Sequence, residues 1–198
     1  MKFIFYYKSI SILKLLTLIT KLFHFLPAEL SHSLALTGLK LFTSLGFKIK
    51  KSQDHKSLQL LNCHFHSSLG VAAGLDKNGD FIDSLAALGF GFIEVGTVTP
   101  KPQYGNQKPR LYRDKRSKAI VNKMGFNNKG VNHLVKKLKK RKSNIPIGVS
   151  IGKNFDTPNN LAVKDYLYCL DKVFEAADYI AINISSPNTK DLRSFEIK

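Results

Sequence analysis

The stretch Tyr179-Ile180-Ala181-Ile182-Asn183-Ile184, read together with Ile145-Pro146-Ile147-Gly148-Val149-Ser150-Ile151, decides the fold. In an extended chain successive side chains point to opposite faces. Ile180, Ile182 and Ile184 therefore share one face, and Ala181 and Asn183 the other. Likewise Ile147, Val149 and Ile151 oppose Gly148 and Ser150. Bulky side chains on one face and small or polar ones on the other suit a parallel barrel, with covering helices outside and a ligand at the mouth. The alternative, a doubly wound open sheet, shares the alternation of strand and helix but not this asymmetry of faces.

Working outward, Leu69–Ala73 and Phe92–Val98 are the two earlier strands. Helical spacing follows in Phe81, Leu85 and Leu88, in Val131–Lys142 with Leu134 and Leu138 inward, and after Thr157-Pro158 in Val163, Tyr166, Leu167, Leu170, Val173 and Phe174. Between the second strand and the second helix lies a long loop rich in proline and lysine; a loop of that length in a compact domain usually serves a function. The fold class is thus α/β, a parallel (β/α) barrel of the TIM type. A closed barrel needs eight strands and about 250 residues, whereas this reading finds about four βα units in 69–198. The expectation is a first half-barrel whose outer strand and inner face lack cover.

Before the barrel, Lys8, Lys14 and Lys21 interrupt the opening apolar stretch, so no uncharged run reaches the ~18 residues of a spanning helix. No small-residue cleavage site follows a compact apolar segment, which argues against a signal peptide. Lys14 and Lys21 take one helical face and leave Leu13, Leu16, Ile19 and Phe23 on others. Pro27 opens a second helix carrying Leu30, Leu34, Leu39, Leu41 and Phe42, with Gly46 as its stop. Residues 1–47 therefore read as a basic, apolar helical hairpin, able to lie on a bilayer or to cap another domain. Residues 48–68 read as a linker and barrel-bottom segment.

The chain of 198 residues has 31 Lys+Arg against 14 Asp+Glu, a net charge of +17. That favours anionic partners, although a bias toward lysine across a genome gives the same number. Cys63 and Cys169 have no metal-ligand or CxxC spacing, and the reading is reduced thiols and no metal.

Three segments follow strands, where barrel enzymes keep their chemistry. They are Ala72–Gly79, the loop containing Gly96–Pro100 and Asn122–Asn128, and Asn183–Thr189. Alone, each reads as an ordinary turn. Together they offer Lys77, Asn122, Asn183 and Asn188 at one mouth; amides with one cation suit a flat heterocycle bearing carbonyl, N–H and carboxylate groups. A serine among them acts as a base only if loss of its proton is assisted.

The motifs AAGLDKNG (72–79), GFGFIEVGTVTPKPQYGNQKPR (89–110), VNKMGFNN (121–128), IGKN (151–154) and NISSPNT (183–189) resemble, in order and spacing, the class 2, quinone-dependent dihydroorotate dehydrogenases. The resemblance runs from about Leu26 to Arg193 and covers only the front part of that family's length. It implies oxidation of dihydroorotate to orotate in pyrimidine (UMP) biosynthesis, with a hydride passing to FMN and electrons to membrane quinone. By resemblance Ser186 is the catalytic base. Ala73, Gly74, Lys77, Thr97 and Asn183 contact FMN, and Lys77, Asn122, Met124, Gly125, Phe126, Asn183 and Asn188 line the substrate pocket. Leu26–His32 resembles the family's helical quinone entrance, with His32 and Arg113 on the quinone side. The implied place is the cytoplasmic side of the inner membrane, peripherally attached, with no nucleic acid partner.

Two departures stand out: Ser150 where the family usually has Asn, and Ser67-Ser68 where it has Asn-Pro. The polypeptide alone is expected to be inactive and poorly folded, because the resemblance assigns further FMN contacts, including a phosphate site, to strands it does not contain. A half completed by a partner chain is a further reading. The non-enzymatic alternative, a basic amphipathic protein that binds membrane or nucleic acid, draws on the run Lys136–Lys142 but gives the five motifs no role.

Overall fold

The structure, a computed structural model, describes residues 17–46, 57–60, 62–189 and 192–195. Lys8, Lys14, Leu13 and Leu16 of the hairpin reading, and the linker up to residue 56, lie outside the described residues.

The described residues form eight strands and, after residue 27, four α-helices. They are α1 (Ala28–Ser44), β1 (Leu58–Leu60), β2 (Cys63–Phe65), β3 (Gly70–Val71), α2 (Ile82–Ala86), β4 (Phe92–Val98), β5 (Leu111–Asp114), β6 (Ala119–Asn122), α3 (Val131–Leu138), β7 (Ile147–Ile151), α4 (Ala162–Val173) and β8 (Tyr179–Ile182). Residues 17–23 are also helical. Chain contacts divide the protein into two compact units, one of Met1–Gly38 with Lys108–Asn122, the other of Leu39–Gln107 with Lys123–Lys198.

The second unit holds a parallel sheet in the order β3-β4-β7-β8, the expected unclosed part of a (β/α) barrel. Ile93 pairs with Ile147 and Val95 with Val149, and all four side chains are completely buried. They share the helix-side core with Val131, Leu134 and Leu138 of α3 and with Ala162, Cys169 and Val173 of α4. Burying each such aliphatic side chain contributes on the order of 1.5–3 kcal/mol. Ile182, 65% exposed, differs from its neighbours because β8 is the outer strand in this order.

The opposite face is filled at its base by rings over glycines. A Cβ on Gly70 would fall 2.2 Å from the Phe92 ring, and one on Gly148 2.1 Å from the Tyr179 ring. Glu94 hydrogen-bonds the Tyr179 phenol, and burial with that neighbouring carboxylate raises the phenol's pKa. The antiparallel hairpin β1–β2 sits at the same end, with Phe65 edge-on to Phe92 at 5.5 Å between centroids. The sequence reading left this hairpin inside a linker, since its three-residue strands are too short for a periodic signal.

Helix α3 ends at Leu138 rather than Lys142, because Asp83 takes the N–H of Lys142 (2.9 Å) and of Ser143 (3.0 Å) and turns the chain there. On the same side Asp80 receives Lys129 at 2.8 Å, Lys137 at 2.9 Å and His133 at 3.0 Å. Its backbone carbonyl accepts Lys40 Nζ at 3.2 Å. Burial opposes the charged form of Asp80, but hydrogen bonds from Lys129, Lys137 and His133 outweigh it and hold the carboxyl well below the usual range.

In the first unit, Ser31 Oγ donates to Phe23 O at 2.7 Å, joining helical residues 17–23 to α1. Glu29 meets Arg110 at 2.7 Å and Lys108 at 3.6 Å; hydrogen bonding from Arg110 is the main reason its carboxyl pKa falls. Arg113 Nη1 donates to Leu26 O at 2.8 Å. The ribbon β5–β6 corrects the reading of residues 99–130 as a loop without secondary structure. Its sequence, with cations at 113, 115, 116 and 118, lacks the apolar alternation that marks a strand.

Replacing Asp80 with Asn leaves Lys129, Lys137 and, when protonated, His133 to repel one another. The expected loss is about 1–2 kcal/mol after allowing for solvent screening, read as a lower urea midpoint in the variant. A lowered folded pKa means this contribution is present above the ordinary carboxylate value of about 4 and is lost as pH falls through the folded value. The difference between wild type and D80N should therefore vanish in strong acid.

Candidate active site

The carboxyl ends of β3, β4, β7 and β8 bring together a set of neutral polar groups. Gly74 N–H donates to Gly96 O (2.9 Å) and Gly96 N–H to Asp76 O (3.2 Å), so the turn after β3 lies against the end of β4. Gly96 must be glycine: its φ is +110°, and a Cβ would lie 2.4 Å from Ser150 O. The Gly96–Thr97 peptide is cis. Asp76, buried, accepts the N–H groups of Phe81 (2.7 Å), Asp80 (3.0 Å) and Asn78 (3.3 Å). Burial raises its pKa against the effect of those donors. This carboxylate shapes the turn that presents Lys77, whose Nζ donates to Gly74 O at 2.8 Å.

Across the strands, Thr97 Oγ1 and Ser150 Oγ are 2.8 Å apart, and Asn183 Nδ2 donates to Thr97 Oγ1 at 2.8 Å. The two hydroxyls carry two hydrogens and use one between them. That leaves one O–H, together with the second amide hydrogen of Asn183, for a ligand. Asn183 Oδ1 accepts Ser185 N–H at 3.2 Å, and Ser186 Oγ accepts Asn188 N–H at 3.3 Å. The loop after β8 is thus built on Asn183.

Residues 99–106 and 123–130 are held by amide side chains. Asn128 donates to Phe126 O (2.7 Å) and Thr99 Oγ1 (2.9 Å), and accepts Gly130 N–H at 2.7 Å. Asn154 donates to Gln103 Oε1 (2.8 Å), Lys101 O (3.0 Å) and Thr99 Oγ1 (3.1 Å), and accepts Lys101 N–H at 3.0 Å. Gln103 Nε2 in turn donates to Gly125 O at 3.1 Å. The Phe126 ring and the Thr97 methyl both flank Gly152, where a Cβ would come within 3.1 and 2.8 Å of them.

Of the site residues expected from sequence, Gly74, Thr97, Asn183 and the Ser186–Asn188 pair are linked by these bonds through Gly96 and Ser185. Ala73 and Lys77 share the Gly74 turn, and Met124 O accepts Asn106 N–H at 3.0 Å. Asn122 ends β6 in the other unit, with His32 in α1 and Arg113 in β5. A groove of about 690 Å3 runs beside the mouth between residues 100–106 and 154–165; it includes Gly125 and Asn154 but not Ser186, Asn183, Thr97 or Lys77. Sequence reasoning missed Asp76, Gln103, Asn128 and Asn154 as the residues that shape these loops. Gln103 and Asn154 left little signal because their partners lie 22 and 51 positions away, while Asp76 and Asn128 read as ordinary turn residues. Asn127 Oδ1 is buried without a hydrogen-bond partner.

Neutral donors at the carboxyl ends of parallel strands, with the Lys77 ammonium beside them, stand where α/β barrels keep their sites. The sequence model of the dihydroorotate dehydrogenase family matches residues 56–198, and the chain belongs to that family. It is 51% identical over 173 residues to the dihydroorotate dehydrogenase (quinone) of Vibrio cholerae, covering 86% of this chain and 52% of that protein. It is 52% identical over 171 residues to the corresponding protein of Acinetobacter baylyi, covering 86% and 51%. The solved structure of DHODH in complex with ferulenol from Eimeria tenella superposes with a TM-score of 0.74 at 36% identity, over 85% of this chain and 46% of that one. The ligand-free form from the same organism gives 0.70 at 38% identity, over 81% and 48%. The chain spans about half the length of the curated relatives it matches.

Truncating Asn154 to Ala removes the acceptor of the Lys101 N–H and leaves Gln103 Oε1 with the Phe155 N–H but without its second donor. The expected cost is about 2–3 kcal/mol, measured by chemical denaturation, with hydrogen exchange rising first in residues 99–106.

Proposed function

We propose that this chain is the front part of a quinone-linked dihydroorotate dehydrogenase, oxidising dihydroorotate to orotate with FMN and passing the electrons to membrane quinone. The observation that carries this reading is the family match over residues 56–198, and the Asn183 side chain, fixed at both ends on Thr97 and Ser185 with one amide hydrogen left over, is consistent with it. That geometry suits a heterocycle carbonyl at the strand ends, in a chain half identical to enzymes of that name. FMN, when bound, supplies the hydride acceptor. Ala73, Gly74, Lys77, Thr97 and Asn183 are proposed to hold it. The leftover O–H of the Thr97–Ser150 pair fits an acceptor on such a ring, so Ser150 keeps a hydrogen-bonding role despite its short side chain.

For the substrate, the Lys77 ammonium is suited to the carboxylate. Asn122, Asn183 and Asn188 offer amides to the ring edges, and Met124, Gly125 and Phe126 complete the pocket. Ser186 takes the ring proton on Oγ as the hydride leaves, while its own hydroxyl proton passes to solvent water. The Asn188 N–H directed at that oxygen favours the developing negative charge. Residues 1–47 are assigned to the quinone entrance, 48–68 to the barrel bottom and 69–198 to the barrel, with His32 and Arg113 on the quinone side. Peripheral attachment on the cytoplasmic side of the inner membrane is part of the proposal. It draws support from exposed Leu18, Leu22 and Phe25, the last 87% exposed. Among the described residues no helix is long and apolar enough to cross a membrane.

The test is flavin retention. The chain is purified alone and together with the part of the Vibrio cholerae relative that it does not match, given FMN, and desalted. The completed protein should stay yellow and be bleached by dihydroorotate. Ser186→Ala should keep the colour and slow bleaching by roughly 10²-fold or more. Soluble, completed protein that retains no flavin overturns the reading.

A further inference from the structure

Tyr166 lies on the stripe of α4 that faces the sheet, in line with buried Ala162, Cys169 and Val173. A phenol on such a stripe needs a polar partner for its hydroxyl. Tyr166 finds one at the end of β8, where its O–H donates to Asn183 O at 2.9 Å. The backbone N–H of Lys153, just beyond β7, is hydrogen-bonded to the same phenol oxygen. Lys153 is itself 3% exposed, with its Nζ on Thr157 O at 2.8 Å. One hydroxyl thus ties the ends of two neighbouring strands to the helix that covers them.

Asn183 is fixed on every polar group. Its N–H goes to Ile151 O at 3.0 Å, its carbonyl takes Tyr166, its Nδ2 goes to Thr97 at 2.8 Å and its Oδ1 takes Ser185 at 3.2 Å. The carbonyl bond comes from the helix layer, outside the mouth. Burial pushes the Tyr166 phenol up to about 12, so it remains a donor throughout the neutral range.

We infer that Tyr166 is a positioning residue for the proposed reaction: from α4 it fixes the Asn183 peptide, and through Asn183 and Ser185 it sets the loop that carries Ser186. The inference rests on the proposed role of Ser186 for its catalytic meaning, but its structural content stands apart from that role. Tyr166→Phe deletes one oxygen and keeps the ring packed against the core. Without the phenol, the Asn183 carbonyl loses its partner and the 183–189 loop loosens.

Two measurements separate the inference from the function proposed above. Hydrogen exchange in Tyr166→Phe should rise roughly tenfold or more at the Ser185 and Asn188 amides, while the β4–β7 amides keep wild-type protection. In completed, flavin-loaded protein the same variant should lower kcat for flavin reduction with KM little changed. Thr97→Val, which frees the Asn183 side chain but not its carbonyl, should loosen Ser185 while leaving the amide of Lys153 protected; Tyr166→Phe should expose both. Loop exchange that is unchanged, or that rises uniformly across the sheet, overturns the positioning role. Loop release in a protein that never reduces flavin leaves this inference standing and removes the function proposed above.

Discussion

The paired layer Ile93–Ile147 and Val95–Val149 governs the rest of the second unit. All four side chains are fully buried on the helix side, and a parallel strand cannot shift by one residue without turning that layer outward. Once it is in place, alternation sends Glu94, Gly148 and Ser150 to the other face. The same alternation through the Val149–Ile180 pair sends Tyr179, Ala181 and Asn183 there as well. The placing of Ser150 and Asn183 at the mouth is therefore a consequence of the aliphatic core, whereas Thr97, which strict alternation would put with Ile93 and Val95, meets them through the register shift between Val95 and Val98.

This dependence explains what could be read from the sequence. Phe92–Val98 matches its expected bounds, and the third and fourth strands match to within two residues, because period-two burial is written locally. Gly148 was legible as a small inner residue, but neither it nor Gly70 was legible as a seat for Tyr179 or Phe92, since that requires knowing which strand lies beside which. The β5–β6 ribbon was not legible: it is held partly by Arg113 on Leu26 O, a contact between residues 87 positions apart. The end of α3 was misjudged for the same reason, because Asp83 acts on it from about 60 residues away. The candidate site was legible through its motifs and hardly at all through its chemistry. Asn183 and Ser186 look like a turn until Thr97 and Tyr166 are seen to hold them.

The charge balance has a structural side. With 14 acidic residues against 31 Lys+Arg, carboxylates are scarce, and several of those described are spent on anchoring. Asp76, Asp83, Asp165 and Asp178 accept backbone N–H groups at turns or strand ends. Glu29 and Asp80 each gather more than one cation. Asp178 does both, taking Arg141 at 3.0 Å and Ile147 N–H at 2.8 Å. Each such acid fixes a place where the chain must change direction, so an added positive charge on the surface is cheaper than the loss of any one of them.

The same economy bears on the proposed base. A serine needs its developing oxyanion stabilised, and a nearby carboxylate would do the opposite by repulsion, unless it accepted the proton. Apart from Arg193, whose Nε donates to Ser185 O at 3.0 Å, the described groups bonded around the 183–189 loop are neutral: Asn188 N–H on Ser186, Ser185 N–H on Asn183, the Tyr166 phenol and the Thr97 hydroxyl. Fixed dipoles of this kind need not reorganise as charge appears, which is where preorganised sites gain most over water. Their value depends on being held still. Tyr166 and Thr97 approach Asn183 from opposite sides of the sheet, one from the helix layer and one from the mouth, and together leave its peptide and its amide no freedom to turn.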